Sequence, residues 1–211
     1  MPPNIDSTEP SATASSPRSS FAIDVPDALL ARARAGERAA FEQLYRWFER
    51  PVFNLAMRIG GDREEAAEVL QETMLKVLGR IGDFRGRQGR PFWGWLRQIA
   101  VNEALMRLRS QRRFANDLVL EDDGAHVADP GPLPAAAADA AVLTRALNQL
   151  PSATRSVLWL YHAEGYTHEE IAALMQRTPS FSKSQLARGS RRLRQLLEPE
   201  QTGLQRERAH A

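Results

Sequence analysis

The segment from Gly165 to Arg194 decides the fold of the chain, and it reads GYTHEEIAALMQRTPSFSKSQLARGSRRLR. Thr167 and Glu170 have the spacing of a capping box, in which two side chains satisfy each other's backbone donors at the start of a helix. Thr178 and Pro179 give a second helix start shortly afterwards, as N-cap and first helical residue. Two helices joined by so short a turn predict a helix-turn-helix.

The second predicted helix combines small polar residues at its start with arginines further along. From Arg177 to Arg194, both included, there are six Lys and Arg residues and no acid. In a docked recognition helix the first turns contact base edges, and other positions contact phosphates. We therefore predict that this helix binds DNA through Ser180, Ser182, Lys183, Ser184, Gln185, Arg188, Arg191, Arg192 and Arg194. A solvated basic face on an antiparallel helix pair is the alternative interpretation.

The charges of the chain alternate in blocks, although the net charge is only +2. Residues 80–113 contain nine basic residues and two acidic ones, whereas residues 114–144 contain six acids and no Lys or Arg. The order basic, acidic, basic predicts two nucleic-acid surfaces on either side of an acidic spacer.

The rest of the sequence predicts an all-α fold of two small helical domains, the second of which ends in the helix-turn-helix. Apolar residues recur at helical spacing, and no strand pattern or repeat occurs. Gly36 ends a first short helix, and Pro51 predicts a kink or a break in the second. Asp62 can cap a third helix, and a fourth helix runs to about Arg113. We predict a disordered tail over 1–25, domains over 26–113 and 139–198, an acidic flexible linker over 114–138 and a tail over 199–211.

The fourth predicted helix carries a core stripe and one aromatic residue beside it. Four residues at i, i+3, i+4 and i+7 form the stripe, namely Phe92, Trp95, Leu96 and Ile99. Trp93 lies about 100° around the helix from Phe92 and next to Arg97. The loop before the helix adds Arg85, Arg87 and Arg90. This arrangement resembles a stacking platform for unpaired bases, and packing of Trp93 against the preceding loop explains it equally well.

The composition excludes several classes of protein. The chain has no cysteine, which excludes disulfide frameworks and thiolate zinc sites. No apolar run approaches membrane-spanning length, and the N-terminus lacks the features of a secretory signal. We therefore expect a cytoplasmic protein that does not insert into a membrane.

An enzyme is the first alternative to a DNA-binding protein. His162, Glu164, His168, Glu169 and Glu170 are the candidate metal ligands, but no His pair has the i, i+4 spacing that puts two ligands on one helix face. A phosphate-binding Gly-rich loop followed by Lys and Ser or Thr is absent. We predict no catalytic residue, no metal and no cofactor.

A regulator that binds a duplex operator through the helix-turn-helix is the second alternative. It explains the C-terminal half of the sequence equally well. It does not explain the basic helix that contains Trp93, nor the acidic segment from Glu64 to Glu72.

Two sets of motifs resemble the RNA polymerase sigma factors of bacteria. The first set resembles their promoter-melting domain: Ala40-Phe41-x-x-Leu44-Tyr45, Gly61-Asp62-Arg63-Glu64-Glu65-Ala66, Leu70-Gln71-Glu72-Thr73, Phe84-Arg85, Trp95-Leu96-x-x-Ile99-Ala100-x-Asn102 and Arg109. The second set resembles their second conserved domain: Leu150-Pro151-x-x-x-Arg155-x-Val157-Leu158, Glu170-Ile171-Ala172 and Lys183-Ser184-x-Leu186-Ala187-Arg188. With only these two domains, the chain resembles the extracytoplasmic-function (ECF) group.

The resemblance implies partners and site residues. It implies binding to core RNA polymerase and to promoter DNA in duplex and single-stranded form, and it leaves room for an anti-sigma factor. The polymerase-docking segment would contain Glu65, Glu68, Leu70, Gln71 and Glu72. The segment that captures the melted minus-ten strand would contain Phe84, Arg85, Arg87, Arg90, Trp93 and Arg97, and we extend it along the basic helix to Asn102, Arg109, Arg112 and Arg113. The minus-thirty-five element would be read by Lys183, Ser184, Gln185 and Arg188.

One departure from the family pattern has a structural consequence. Gln176 stands where the family has the glycine of the helix-turn-helix turn. If the backbone of Gln176 adopts the left-handed conformation, its side chain lowers the free energy of unfolding by about 1 kcal/mol relative to glycine.

Overall fold

A computed structural model describes residues 20–84, 91–118 and 135–208, with the backbone alone over 112–118, 135–139 and 199–208. The described residues form eight α-helices and no strand, in agreement with the predicted all-α fold. In chain order, the helices are α1 Asp27–Arg34, α2 Arg38–Gly60, α3 Arg63–Arg80, α4 Phe92–Leu118, α5 Ala135–Asn148, α6 Ser152–His162, α7 His168–Met175 and α8 Pro179–Arg208.

Helices α1–α4 form the N-terminal half, in which α2, α3 and α4 pack against one another around an apolar core. The core is built from residues at helical spacing on each helix. Its fully buried side chains include Leu44, Phe48, Ile59, Val77, Leu96 and Leu105. The amphipathic periodicity of the sequence therefore places the functional side chains of α3 and α4 on the opposite, outer faces.

The helix ends that the sequence predicts from capping residues are confirmed. Asp62 accepts a hydrogen bond from the backbone N–H of Glu65 at 2.8 Å. Thr167 and Glu170 form the reciprocal capping box at the start of α7. The hydroxyl of Thr178 accepts a hydrogen bond from the N–H of Phe181 at 3.2 Å. Each cap satisfies a backbone donor that the helix itself cannot satisfy.

The element boundaries in the structure differ from the expected ones in three places, and α2 has no break at Pro51. Helix α2 continues through Pro51 without a break, because Pro51 is buried within the apolar stripe that holds both halves of the helix to the core. The ordered chain begins before residue 26, since Phe21 is fully buried in the core. Helices α4 and α5 extend into the predicted linker from both sides, so that only 119–134 lies between them. Helix α8 continues through 199–208, although this stretch contains Pro199 and Gly203, the two poorest helix formers.

Helices α5–α8 form the C-terminal half, which packs against the N-terminal half through α6 and α2. Helix α2 ends at Gly60 and leaves carbonyl groups without partners inside the helix. The guanidinium of Arg155 donates to the carbonyl of Gly60. The hydroxyl of Ser156 is 2.7 Å from the carbonyl of Ser152 on its own helix and 3.3 Å from the carbonyl of Ile59. Gly61 follows in the left-handed conformation with φ 88°, and a Cβ there would lie 2.8 Å from Cζ of Arg155. The end of α2 thus leaves space for the Arg155 side chain of α6, since Gly61 has no Cβ.

Gln176 ends α7 in the left-handed conformation, with φ 54° and ψ 47°. It is the one non-glycine residue with positive φ among the described residues. A left-handed residue with a Cβ costs roughly 1–2 kcal/mol, so the sequence-based expectation of strain at this turn is confirmed.

Gln176→Gly should raise the free energy of unfolding by up to about 1 kcal/mol, because relief of strain exceeds the greater unfolded-chain entropy of glycine. Urea unfolding measures the change. The matched control is Ala173→Gly at an exposed position inside α7, which should lower the free energy of unfolding by about 1 kcal/mol. Equal destabilisation by both substitutions would contradict the strain at Gln176.

Candidate nucleic-acid interface

Helix α8 presents a basic face to solvent. The predicted DNA contacts that are exposed on its first five turns are Ser180, Lys183, Ser184, Arg188, Arg191, Arg192 and Arg194. Arg188 folds back on Ser184, with an N–H···O distance of 2.9 Å to the Ser184 hydroxyl. The exposed side chains carry hydroxyl groups near the start of the helix and guanidinium groups further along, as the sequence predicts for a DNA-reading helix.

Two residues predicted to contact DNA through α8 point inward instead. Ser182 is fully buried, and its hydroxyl is 2.9 Å from Nδ1 of His168 on α7. Gln185 is half-buried, and its amide oxygen accepts a hydrogen bond of 2.6 Å from Thr154. The periodicity of α8 turns Ser182 towards α7, so its hydroxyl is not accessible to DNA in this conformation. Gln185 has an α6 partner that the sequence does not indicate.

Gly189 sets the distance between α8 and α6. A Cβ at Gly189 would lie 2.6 Å from Cγ2 of Thr154 and 2.7 Å from Cδ1 of Leu158. The two helices approach so closely that a Cβ at this position would force the side chains of Thr154 and Leu158 to shift. The exposed face of α8 is therefore held in a fixed orientation relative to α6.

Helix α4 carries the aromatic residues of the predicted strand-capture surface. Trp93 is half-buried, and the guanidinium of Arg97 lies over its ring at 5.5 Å. Trp95 packs against Phe92 and Phe84, with ring centroids 5.6 Å and 5.3 Å away. Phe84 is itself buried, because its ring completes the aromatic cluster, so it is not accessible to a melted strand in this conformation.

Arg97 connects the two halves of the molecule. Its Nη1 lies 3.2 Å from Oε2 of Glu164 and 3.1 Å from the Glu164 carbonyl, in the loop between α6 and α7. Its guanidinium also lies 5.2 Å from the ring centre of Tyr166. Glu164 accepts a further hydrogen bond from the indole of Trp159 at 3.2 Å. Burial raises the pKa of Glu164, and the attraction of Arg97 and the bonds from Trp159 and Arg97 oppose this rise.

The remaining strand-capture candidates have different surroundings. Asn102 is exposed and accepts a hydrogen bond from Gln98 at 3.3 Å. Arg109 donates to the carbonyl of Leu174 on α7 at 3.3 Å. Only the backbone is described at Arg112 and Arg113. Arg85, Arg87 and Arg90 lie outside the described residues.

Helix α3 carries the predicted polymerase-docking residues. Glu68, Gln71 and Glu72 are exposed, whereas Leu70 is half-buried against the core. Glu65 pairs with Nε of Arg107 at 2.7 Å, and the same guanidinium also pairs with Glu68. Two of the predicted docking acids are therefore engaged with α4 in this conformation.

Sequence analysis missed two exposed leucines on α3. The side chains of Leu75 and Leu78 are 53% and 46% exposed. They continue the face of Gln71 at i+4 and i+7, outside the core stripe of Val69, Thr73 and Val77. Their helical spacing from Gln71 could have predicted them from the sequence. An exposed apolar stripe beside acids is typical of a protein-binding surface.

The candidate metal ligands have other partners or lie apart. His168 stacks on Tyr161 at 4.7 Å, Glu164 pairs with Arg97, and Glu170 caps α7. Within the described residues, no group of three or more His, Cys, Asp or Glu side chains is placed to hold a metal ion. None of the helices in the described part of the chain combines the length and apolar character needed to cross a membrane.

Each half of the chain matches a known protein family. The family model for Sigma-70 region 2 matches residues 44–114, and the model for Sigma-70, region 4 matches residues 140–193. The chain is 30% identical over 181 residues to the RNA polymerase sigma-H factor of Pseudomonas aeruginosa, covering 81% of this chain and 93% of the relative. It is 34% identical over 176 residues to the ECF RNA polymerase sigma factor SigM of Mycobacterium tuberculosis, covering 83% and 86%.

A solved structure shares the fold. The sigma factor RpoE of Bartonella quintana, in complex with the anti-sigma factor NepR, superposes with a TM-score of 0.51 at 25% identity. The match covers 75% of this chain and 96% of that chain.

The buried carboxyl of Glu164 gives a pH-dependent prediction. Because burial raises its pKa above the ordinary 4.5, its contribution to the free energy of unfolding is fully present below pH 4.5 and is lost as the pH rises through the raised pKa. Relative to Glu164→Gln, the wild type should therefore lose stability as the pH rises above 4.5. Urea unfolding across this range measures the difference, and Glu169→Gln controls for loss of one exposed acid. A difference that moves in favour of the wild type with rising pH would contradict the raised pKa.

Proposed function

Since this chain belongs to the extracytoplasmic-function sigma factors of bacterial RNA polymerase, we propose that α8 reads the minus-thirty-five element of its promoters and that α4 captures the melted minus-ten strand. The protein binds core polymerase and directs promoter-specific initiation of transcription. The observation that carries the assignment of surfaces is the pair of basic helices on separate halves of one chain. Such a pair can hold one promoter at two points.

The exposed face of α8 supports duplex recognition. Lys183 and Ser184 lie on its first turns, where a recognition helix reaches base edges in the major groove. Arg191, Arg192 and Arg194 lie further along, where they neutralise phosphates.

The outer face of α3 supports docking on the core polymerase. Its acids Glu68 and Glu72 flank Gln71, and the exposed Leu75 and Leu78 extend the same face. Apolar side chains buried at the centre of an interface contribute most of its binding free energy, and surrounding charges set orientation and association rate.

The similarity to a sigma factor solved with NepR supports an anti-sigma factor as a further partner of this chain. We place the protein in the cytoplasm, where polymerase and promoter meet, and assign it no catalytic reaction and no cofactor. It acts as a specificity subunit that stabilises the open promoter while the polymerase carries out the chemistry.

Reconstitution tests this function directly. The full chain is mixed with bacterial core polymerase on a library of genomic fragments, and run-off transcripts are sequenced. Transcripts that start downstream of a shared pair of elements, and that need the protein, support a sigma factor. Binding to a duplex operator without core polymerase, as a dimer and with no transcript, would identify an operator-binding regulator instead.

Arg192→Ala and Arg194→Ala should weaken duplex binding about equally on all sequences. Each removes a phosphate contact, so the slope of log affinity against log salt concentration should fall by about 0.9 per substitution. Fluorescence anisotropy at several salt concentrations measures the slope. Arg46→Ala on α2, an exposed arginine paired with Glu42, is the matched control. Slopes equal to that of the wild type would remove Arg192 and Arg194 from the phosphate contacts.

Glu72→Lys and Leu75→Ala should each weaken binding to core polymerase by more than about 1 kcal/mol, the level that marks an energetically important interface residue. Both side chains are exposed, so the free energy of unfolding should change by less than about 0.5 kcal/mol. Competition for core polymerase against a labelled wild-type protein measures the loss. Glu42→Lys on α2 is the control, and equal competition by all three variants would exclude α3 as the docking face.

Trp93→Ala should slow promoter opening, because loss of one base–aromatic stack costs about 1–3 kcal/mol. Trp95→Ala should mainly destabilise the fold, by about 3 kcal/mol, because its ring fills the cluster with Phe84 and Phe92. Permanganate reactivity of unpaired thymines and thermal unfolding separate the two effects. A thermal destabilisation by Trp93→Ala as large as that by Trp95→Ala would show that Trp93 is a packing residue.

A further inference from the structure

Gln185 lies beside the exposed residues of α8 to which the proposed function assigns DNA reading, although it is itself half-buried. It follows Ser184 directly and precedes Arg188 by three positions, a spacing that makes Gln185 and Arg188 neighbours on the surface of the helix. The amide oxygen of Gln185 accepts a hydrogen bond of 2.6 Å from the hydroxyl of Thr154 on α6. One end of the amide is therefore bound within the C-terminal half.

The amide nitrogen of Gln185 is the unbound end of the same side chain. It donates to no group in the described part of the chain, and it is not one of the buried polar atoms that lack a partner there. Solvent therefore reaches this nitrogen. Because the oxygen is directed at Thr154, the two N–H bonds of the amide are what Gln185 offers to a ligand of α8.

Thr154 makes two separate contacts with α8. Its methyl carbon Cγ2 lies 2.6 Å from the position that a Cβ of Gly189 would take, so the methyl group packs against the backbone of α8. Its hydroxyl donates to Gln185. Thr154 is only 7% exposed and lies on α6, so it cannot itself read a base in a groove that α8 occupies. The methyl group therefore acts on the spacing of the helices, whereas the hydroxyl acts on the Gln185 amide.

The bond from Thr154 changes which base a glutamine can read. A glutamine with both ends of its amide available pairs with adenine, since its oxygen accepts from N6 and its nitrogen donates to N7. This pairing requires the oxygen and the nitrogen to face the base edge together. In Gln185 the oxygen faces α6 instead, which leaves a hydrogen-bond donor alone. In the major groove guanine offers the acceptors O6 and N7 and thymine offers O4, whereas cytosine presents an N–H donor.

We propose that Thr154 is a positioning residue for promoter recognition, which holds the amide of Gln185 as a hydrogen-bond donor and thereby selects guanine or thymine over adenine and cytosine at one position of the minus-thirty-five element. This inference rests on the proposed function of α8. A buried hydroxyl on a neighbouring helix thus determines base choice without touching DNA. The selectivity that one such hydrogen bond gives is roughly 2- to 10-fold.

Two substitutions at Thr154 separate the hydroxyl from the methyl group. Thr154→Val keeps the branched shape and the methyl group that packs against Gly189, but it removes the donor to Gln185. Thr154→Ser keeps the donor and removes the methyl group. Gln185→Ala removes the amide itself, and the double variant Thr154→Val/Gln185→Ala shows whether Thr154 acts through Gln185.

The test uses the holoenzyme, reconstituted from core polymerase and the full chain. Its template is a promoter found by sequencing of run-off transcripts, with the minus-thirty-five element randomised and a barcode placed in the transcribed region of each template. The share of each base among the transcribed templates gives the preference at every position of the element. Urea unfolding of each variant, measured in parallel, detects any loss of fold.

We expect Gln185→Ala to lose the preference at one position, which the wild type fills with guanine or thymine. At this position Thr154→Ser should keep the preference of the wild type. Thr154→Val should raise the use of adenine about fivefold or more, because the released amide oxygen can accept from N6. The preferences at the other positions should stay as in the wild type, and the double variant should match Gln185→Ala.

Three outcomes overturn the positioning role of Thr154. The first is a folded Thr154→Val protein with the base preferences of the wild type, and the second is a wild type that prefers adenine or cytosine where Gln185→Ala loses its preference. The third is a loss of preference at every position in Thr154→Val, which would show that α8 as a whole has moved. In each of these the wild type still selects an upstream element, whereas a wild type with no preference at any upstream position rejects the proposed function of α8 itself.

Discussion

The end of α2 is the constraint on which the arrangement of the molecule depends. A helix leaves its last carbonyl groups without internal partners, and a partner must come from water or from another side chain. Here Arg155 of α6 supplies a donor for the carbonyl of Gly60, and the hydroxyl of Ser156 lies beside the carbonyl of Ile59 at 3.3 Å. A positive group at a helix C-terminus also interacts favourably with the helix dipole. The C-terminal half therefore supplies a hydrogen-bond donor that the end of α2 lacks. The resulting contact between α6 and α2 places the loop that contains Glu164 on α4.

Much of the fold could be predicted from sequence because its signals are local. The capping pairs at Asp62, Thr167 and Thr178 act over three residues, and each of them is confirmed. The strain at Gln176 follows from its place in a three-residue turn. Helical periodicity likewise identified the core, since it needs only the spacing of apolar residues.

The parts that could not be predicted depend on which helix lies beside which. Arg97 and Glu164 are 67 residues apart, and nothing in either neighbourhood indicates the pair. Ser182 resembled a DNA contact by position, but the packing of α7 on α8 turned it towards His168. Phe84 resembled a strand contact by family motif, yet it closes an aromatic cluster with Phe92 and Trp95. Periodicity gives the face of a helix, and only tertiary packing shows what covers that face.

The close approach at Gly189 determines the rotational setting of α8. Because a Cβ there would meet Thr154 and Leu158 at 2.6 and 2.7 Å, the helix cannot roll about its own axis without a collision or a gap. Exposed side chains on the outer side, such as Lys183 and Arg191, therefore keep a constant angular position relative to α6. The lack of a Cβ at Gly189 thus fixes the orientation of the exposed side of α8. A new DNA preference can evolve by exchange of exposed residues while the packing of α8 on α6 stays the same.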